Sequence, residues 1–141
     1  MSVFASPERA ILHRLATHPR AAMALGMRVY PLIAPTSAEI PFAVYQRTGI
    51  ERSGTLTLGG VVGVPVITLS FDIYGVTYEQ ARTAADAVRD ALDGWTGTHY
   101  GVVVSRVSAE QESDELASLE GGELPPVYQV TQSYEVLWQE A

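Results

Sequence analysis

Acidic side chains are the densest potential chemistry in this sequence. Glu110, Glu112, Asp114, Glu115, Glu120 and Glu123 fall within the segment Glu110 to Pro126, with no base among them. Hard divalent cations want several oxygen ligands, so crowded carboxylates are one way to build a cation site. The spacing lacks the D-x-D-x-D-G order of a calcium loop. A solvated loop, or a loop that docks arginines of a partner, is the plainer reading, and no metal is expected. The histidines offer less. His13 and His18 do not share a helix face, and His99 is remote in sequence. No histidine is matched with a nucleophile and an orienting acid, the grouping that hydrolase chemistry needs. Ordinary surface or cap histidines are expected.

Asp72 lies between Phe71 and Ile73. A buried carboxylate with a raised pKa would mark a site. Strand alternation instead turns Asp72 away from those two residues, toward solvent or an interface. Gly59, Gly60 and Gly63 sit between strand-like segments, not between a strand and a helix. They match neither G-x-G-x-x-G nor G-x-x-x-x-G-K-[ST], so nucleotide binding is not expected. The sequence therefore offers no catalytic residue and calls for no cofactor.

One grouping points toward assembly. Leu56, Leu58, Val61 and Val62 flank Gly59-Gly60, a pair suited to a type I′ turn. Apolar residues on a projecting hairpin need cover, because exposed apolar edges invite aggregation. The cover comes from the domain's own helices or from a neighbouring subunit or partner. The candidate interface is thus Leu56, Leu58, Val61 and Val62, joined by Glu112, Asp114 and Glu115 of the acidic segment. Contact between hairpins of neighbouring subunits would be heterologous, and heterologous contacts close into rings when the rotation allows.

Composition limits the remaining classes. The 141 residues suit one domain, 1–141, that can bury a core without disulfides. There is no cysteine, which excludes thiol catalysis and cysteine-ligated metals. Sixteen acids face nine bases, all arginine, for a net charge of −7. Such a chain is a poor candidate for gripping nucleic acid through phosphates. The longest apolar run, Val61 to Leu69, is broken by Gly63 and Pro65 and is too short to span a membrane. Met1 to Ala5 carries no cationic region before an apolar stretch, so no signal peptide is read there.

The elements that must hold these residues follow from local signals. Ser6, Pro7 and Glu8 suit the start of a helix that stops near His18, before Pro19. Pro19 opens a second short helix, ended by Gly26 in a left-handed cap. Strands are expected at 27–30, 41–48, 52–58 and 61–74. In the last of these Ile67, Leu69, Phe71 and Ile73 alternate with polar residues. The strongest helix runs from Thr77 to Asp93, with Thr77 and Gln80 as a capping box. Tyr78, Ala81, Ala85, Val88, Leu92 and Trp95 form its apolar stripe. Arg82–Asp86 and Arg89–Asp93 are i,i+4 pairs worth about 0.2–0.5 kcal/mol each. Strands at 100–109 and 127–138 follow, the latter with Gln132 interrupting an apolar face. The expected fold class is α+β: an antiparallel β-sheet with one long helix and a short N-terminal helical pair packed on it, plus a projecting β-hairpin.

Taken in order, several segments resemble the tail completion, or tail terminator, proteins of long-tailed bacteriophages and prophages. They are Gly26 to Pro35, Ile40 to Arg47, Leu69 to Gly75, Thr77 to Arg82 leading to Leu92-Asp93-Gly94-Trp95, and Val127 to Trp138. The series spans nearly the whole chain; the segments Ile50–Val64 and Glu110–Pro126 are unmatched. The resemblance implies a structural virion protein without catalysis. It implies a homo-hexameric ring on the head-proximal end of the tail tube, which stops tube growth and meets the head-side connector while DNA passes through without specific binding. Its partners would be itself, the tail tube protein and the connector or stopper, with assembly in the host bacterial cytoplasm and no membrane. Related proteins occur in gene transfer agents. A head–tail adaptor or head-closure protein, or a small cellular ligand-binding or enzymatic α+β domain, are the alternatives.

Overall fold

The computed structural model describes residues 7–35, 38–57, 60–99, 101–117 and 127–140; for 49–57, 60–65, 117 and 140 the description is of the backbone. The N-cap expected at Ser6 lies outside these residues. Helix α1, Pro7–Thr17, buries Ala10, Ile11 and Leu15. His18 then serves two helices. Its N–H donates to Arg14 O at 2.9 Å, and its Nδ1 accepts from Ala21 N at 3.4 Å to cap α2, Pro19–Leu25. Gly26 ends α2 with φ 58° and ψ −126°. The sign of φ is as expected, but this ψ lies outside the left-handed helical well, in territory open to glycine.

Six strands form one sheet in the order β1-β2-β3-β6-β5-β4. They are β1 Val29–Pro31, β2 Phe42–Thr57, β3 Gly60–Gly75, β4 Gly97–His99, β5 Val102–Ala117 and β6 Val127–Glu140. The sheet is not wholly antiparallel: β1 runs parallel to β2. Val29 lies beside Ala43 and Pro31 beside Tyr45.

Two expected strands, 41–48 and 52–58, are one. The register steps from Arg47↔Leu69 to Gly49↔Thr68, so Thr48 is a bulge and the ladder continues through it. Strand β5 is also longer than expected. Glu110 to Ala117 is strand and not loop, a correction to the acidic segment's reading. Further register steps beside Ser105 and Glu110 keep β5 paired with β6 to its end. Sequence alternation misses this half because its inward residues are carboxylates. Short β4 was not expected at all. The order is thus α-α-β-β-β-α-β-β-β.

Helix α3, Tyr78–Leu92, lies over β3, β5 and β6. Thr77 Oγ1 accepts from Gln80 N at 3.1 Å, while Gln80 Oε1 accepts from Val76 N at 2.7 Å, one residue before the usual partner. The buried side is a seam of small residues: Ala81, Ala84, Ala85, Ala87, Val88, Ala91 and Leu92. Small side chains let the helix approach closely. A Cβ on Gly75 would stand 2.5 Å from Ala81 N, so this contact requires glycine. Beneath the helix lie Ile67, Leu69, Phe71, Ile73, Val130, Tyr134 and Val136, all buried. Phe71 and Tyr134 meet edge-to-face, 5.7 Å between centroids.

Candidate functional site

The acidic residues of β5 face two ways. Pairing Glu112↔Gln132 and Asp114↔Val130 puts Glu112 and Asp114 on the helix side. Glu115 pairs with Gln129 on the other face, and its charge helps to raise the Tyr74 phenol, after desolvation and Asp72.

On the helix side the carboxylates converge on Arg82. Both terminal nitrogens of Arg82 donate to Glu112 Oε2 at 3.1 Å; Nη1 also reaches Asp114 Oδ1 at 3.2 Å and Nη2 reaches Asp86 Oδ1 at 2.8 Å. Burial disfavours the guanidinium charge, but bonds to Glu112 and the charges of Asp86 and Asp114 outweigh it and raise its pKa. Arg89 does not pair with Asp93 as the spacing suggests. It turns back to Asp86 at 3.3 Å and approaches Glu112 at 3.7 Å. Asp93 instead accepts from Ala109 N at 3.0 Å. Tyr78 completes the rim, donating to Asp114 Oδ2 at 2.8 Å, a bond that raises its pKa.

Gln132 carries this network into the core. Its side chain is polar yet buried within the apolar core, 2% exposed. Its Nε2 donates to Ala85 O at 2.9 Å and Glu112 Oε1 at 2.6 Å, and its Oε1 accepts from Tyr134 Oη at 2.8 Å. The interruption at Gln132 was visible in sequence; Arg82, which it reaches through Glu112, was visible only as half of a helical pair. Burial pushes the Tyr134 phenol far up. The network fastens α3 to β5 and β6.

The opposite face of the sheet is polar. Thr68, Ser70 and Asp72 of β3 stand beside Thr131, Ser133 and Glu135 of β6, with Gln111 and Ser113 beyond them on β5. Thr131 Oγ1 donates to Asp72 Oδ1 at 2.9 Å, so Asp72 does face away from the core. A hollow of about 850 Å³ lies over these hydroxyls.

The histidines come together differently from their sequence order. The His13 and His99 rings meet at 4.0 Å, tilted by 49°, Trp95 stacks on His99 at 6.1 Å, and Arg14 lies 5.8 Å over Trp95 while donating to Ala91 O. This ties α1 to β4 and α3. His18 Nε2 lies 3.4 Å from Asp90.

Leu56 pairs with Val61 and Thr55 with Val62 in the β2–β3 ladder, while Leu58 and Gly59 lie outside the described residues. Among the described residues no group of three or more His, Cys, Asp or Glu could hold a metal ion. The arrangement's chemistry is ion pairing and hydrogen bonding that stiffen a sheet.

The fold is mixed α+β, a curled six-stranded sheet with three helices. The chain belongs to the tail completion protein gp17 family, which matches residues 9–123. It is a structural tail protein of a virion, not an enzyme. The chain is also similar to a chain in the virion of a native gene transfer agent particle. That likeness has a TM-score of 0.65 at 14% identity, covers 93% of this chain and 92% of that one, and shows the shared fold. No curated protein matches the chain.

Proposed function

We propose that this protein is a tail terminator: six copies form a ring on the head-proximal end of the tail tube, stop its growth and join it to the head-side connector. Membership of the tail completion family over residues 9–123 carries the reading. The likeness in fold to a gene transfer agent virion chain supports it. The polar sheet face also suits a ring that DNA traverses. Asp72, Glu115 and Glu135 stand there with Arg106, so the face has no positive surplus with which to grip phosphates. The hairpin of β2 and β3 projects to a neighbouring copy, and DNA passes without specific binding.

The test is removal of this gene from its particle-producing strain, with the lysate imaged by negative-stain electron microscopy. Overlong headless tubes of variable length are expected, with added protein restoring the joint. Tails of normal length that fail to join heads would mark a head-side adaptor instead. Intact infectious particles would refute both.

A further inference from the structure

We infer that neighbouring copies of this chain join strand edge to strand edge, the free edge of β5 on one copy against the free edge of β2 on the next. This rests on the ring reading and names its interface.

The sheet is guarded poorly at both ends. On one side β1 covers Ala43 to Tyr45 of the 16-residue β2. On the other, β4 covers Val102 to Val104 of the 16-residue β5. The end of α3 closes part of β5 as well: Gly94 N donates to Val107 O at 2.7 Å, and Asp93 accepts from Ala109 N. From Gln111 to Ala117 on β5, and from Gln46 to Thr57 on β2, no strand among the described residues pairs with the outer edge. Bare edges of this length are templates for another strand. They lie on opposite sides of one sheet, so one copy can meet two neighbours at once.

Charge selects the occupant. Residues 110–117 hold Glu110, Glu112, Asp114 and Glu115 and no base, with Glu112 and Asp114 already paired to Arg82, whereas residues 46–57 hold Arg47, paired to Glu8 at 2.6 Å, and Arg52 beside Glu51. Joining β5 to β5 sets acids against acids, which destabilises cross-strand pairs. Joining β5 to β2 avoids that repulsion, because the β2 edge carries no acidic surplus. That contact is heterologous, the kind that builds rings. Arg82 and Gln132 hold β5 in place beforehand, which lowers the ordering cost of association.

The chain has no cysteine, so introduced thiols report cleanly. Gln46→Cys and Ser113→Cys place one thiol on each edge, both on the polar face and exposed. Protein assembled on tails is treated with a flexible bismaleimide, and copy number is read by native mass. The double variant should link into a ladder ending at the closed ring, and each single variant should link no copies. Dimers from Ser113→Cys alone would overturn the proposal in favour of a two-fold β5–β5 contact. A ring of full mass with no ladder would overturn the edge assignment and leave the ring standing. A single copy on tails would sink the ring itself. If Ser113→Cys melts early, Gln111→Cys serves on the same face.

Discussion

Tyr134 shows how much one hydroxyl can hold. Its phenol is buried against the core and donates to Gln132, whose amide would otherwise lack a partner on that side. Tyr134→Phe should cost about 1–3 kcal/mol at neutral pH, because Gln132 Oε1 is left buried and unsatisfied. Urea unfolding measures this. The same substitution should change the alkaline limb. Both folded and unfolded chains keep the phenol proton well below its ordinary value of 10.0. As pH climbs through that value the unfolded chain releases its proton and the buried phenol keeps its own. The unfolded state then binds fewer protons, so stability falls as pH rises. Tyr134→Phe should flatten that fall. Tyr45, Tyr74 and Tyr78, whose pKa values are also raised, should leave a residual slope.

At the scale of elements, the meeting of α3 with β3 is set by bulk. Gly75→Ala would thrust a methyl group to 2.5 Å from the backbone of Ala81, and should destabilise by about 1–3 kcal/mol in thermal melting. Truncating the layer from either side, by Ile73→Ala or Val88→Ala, should cost about 1–5 kcal/mol, since both are fully buried. Arg82→Met should leave the fold intact but free the outer half of β5. Hydrogen exchange at 112–116 should then quicken while that of Phe71 and Ile73 stays slow. Much of this layer was legible in the sequence. The alternation of Ile67, Leu69, Phe71 and Ile73 and the alanine stripe of α3 are periodic, and periodicity is what sequence shows. The acidic half of β5 was not, because its inward side chains meet Arg82 and Arg89 across 30 or so residues of chain. Charge on a strand's inner face is indistinguishable from charge in a loop until its partners are known. Thr48 misled in the same way: a bulge hides a continuous strand behind a break in pattern. The convergence of His13, His99 and Trp95 depends on folding alone.

For the whole molecule, the test that matters is of assembly. Leu58→Asp with Val62→Asp should leave a folded monomer and abolish the proposed ring, because the new charges would be buried at the proposed contact. Light scattering together with circular dichroism checks both halves; loss of the fold would assign the hairpin to the monomer's own core. The ion-pair hub at Arg82 has a mechanical consequence in such a particle. A load directed along β5 is shared by all its bonds to β6 at once, from Val102↔Glu140 to Ala117↔Val127. A load directed across β5 peels those bonds one after another. Arg82 reaches over from α3 to grasp Glu112 and Asp114, and so resists the peeling direction.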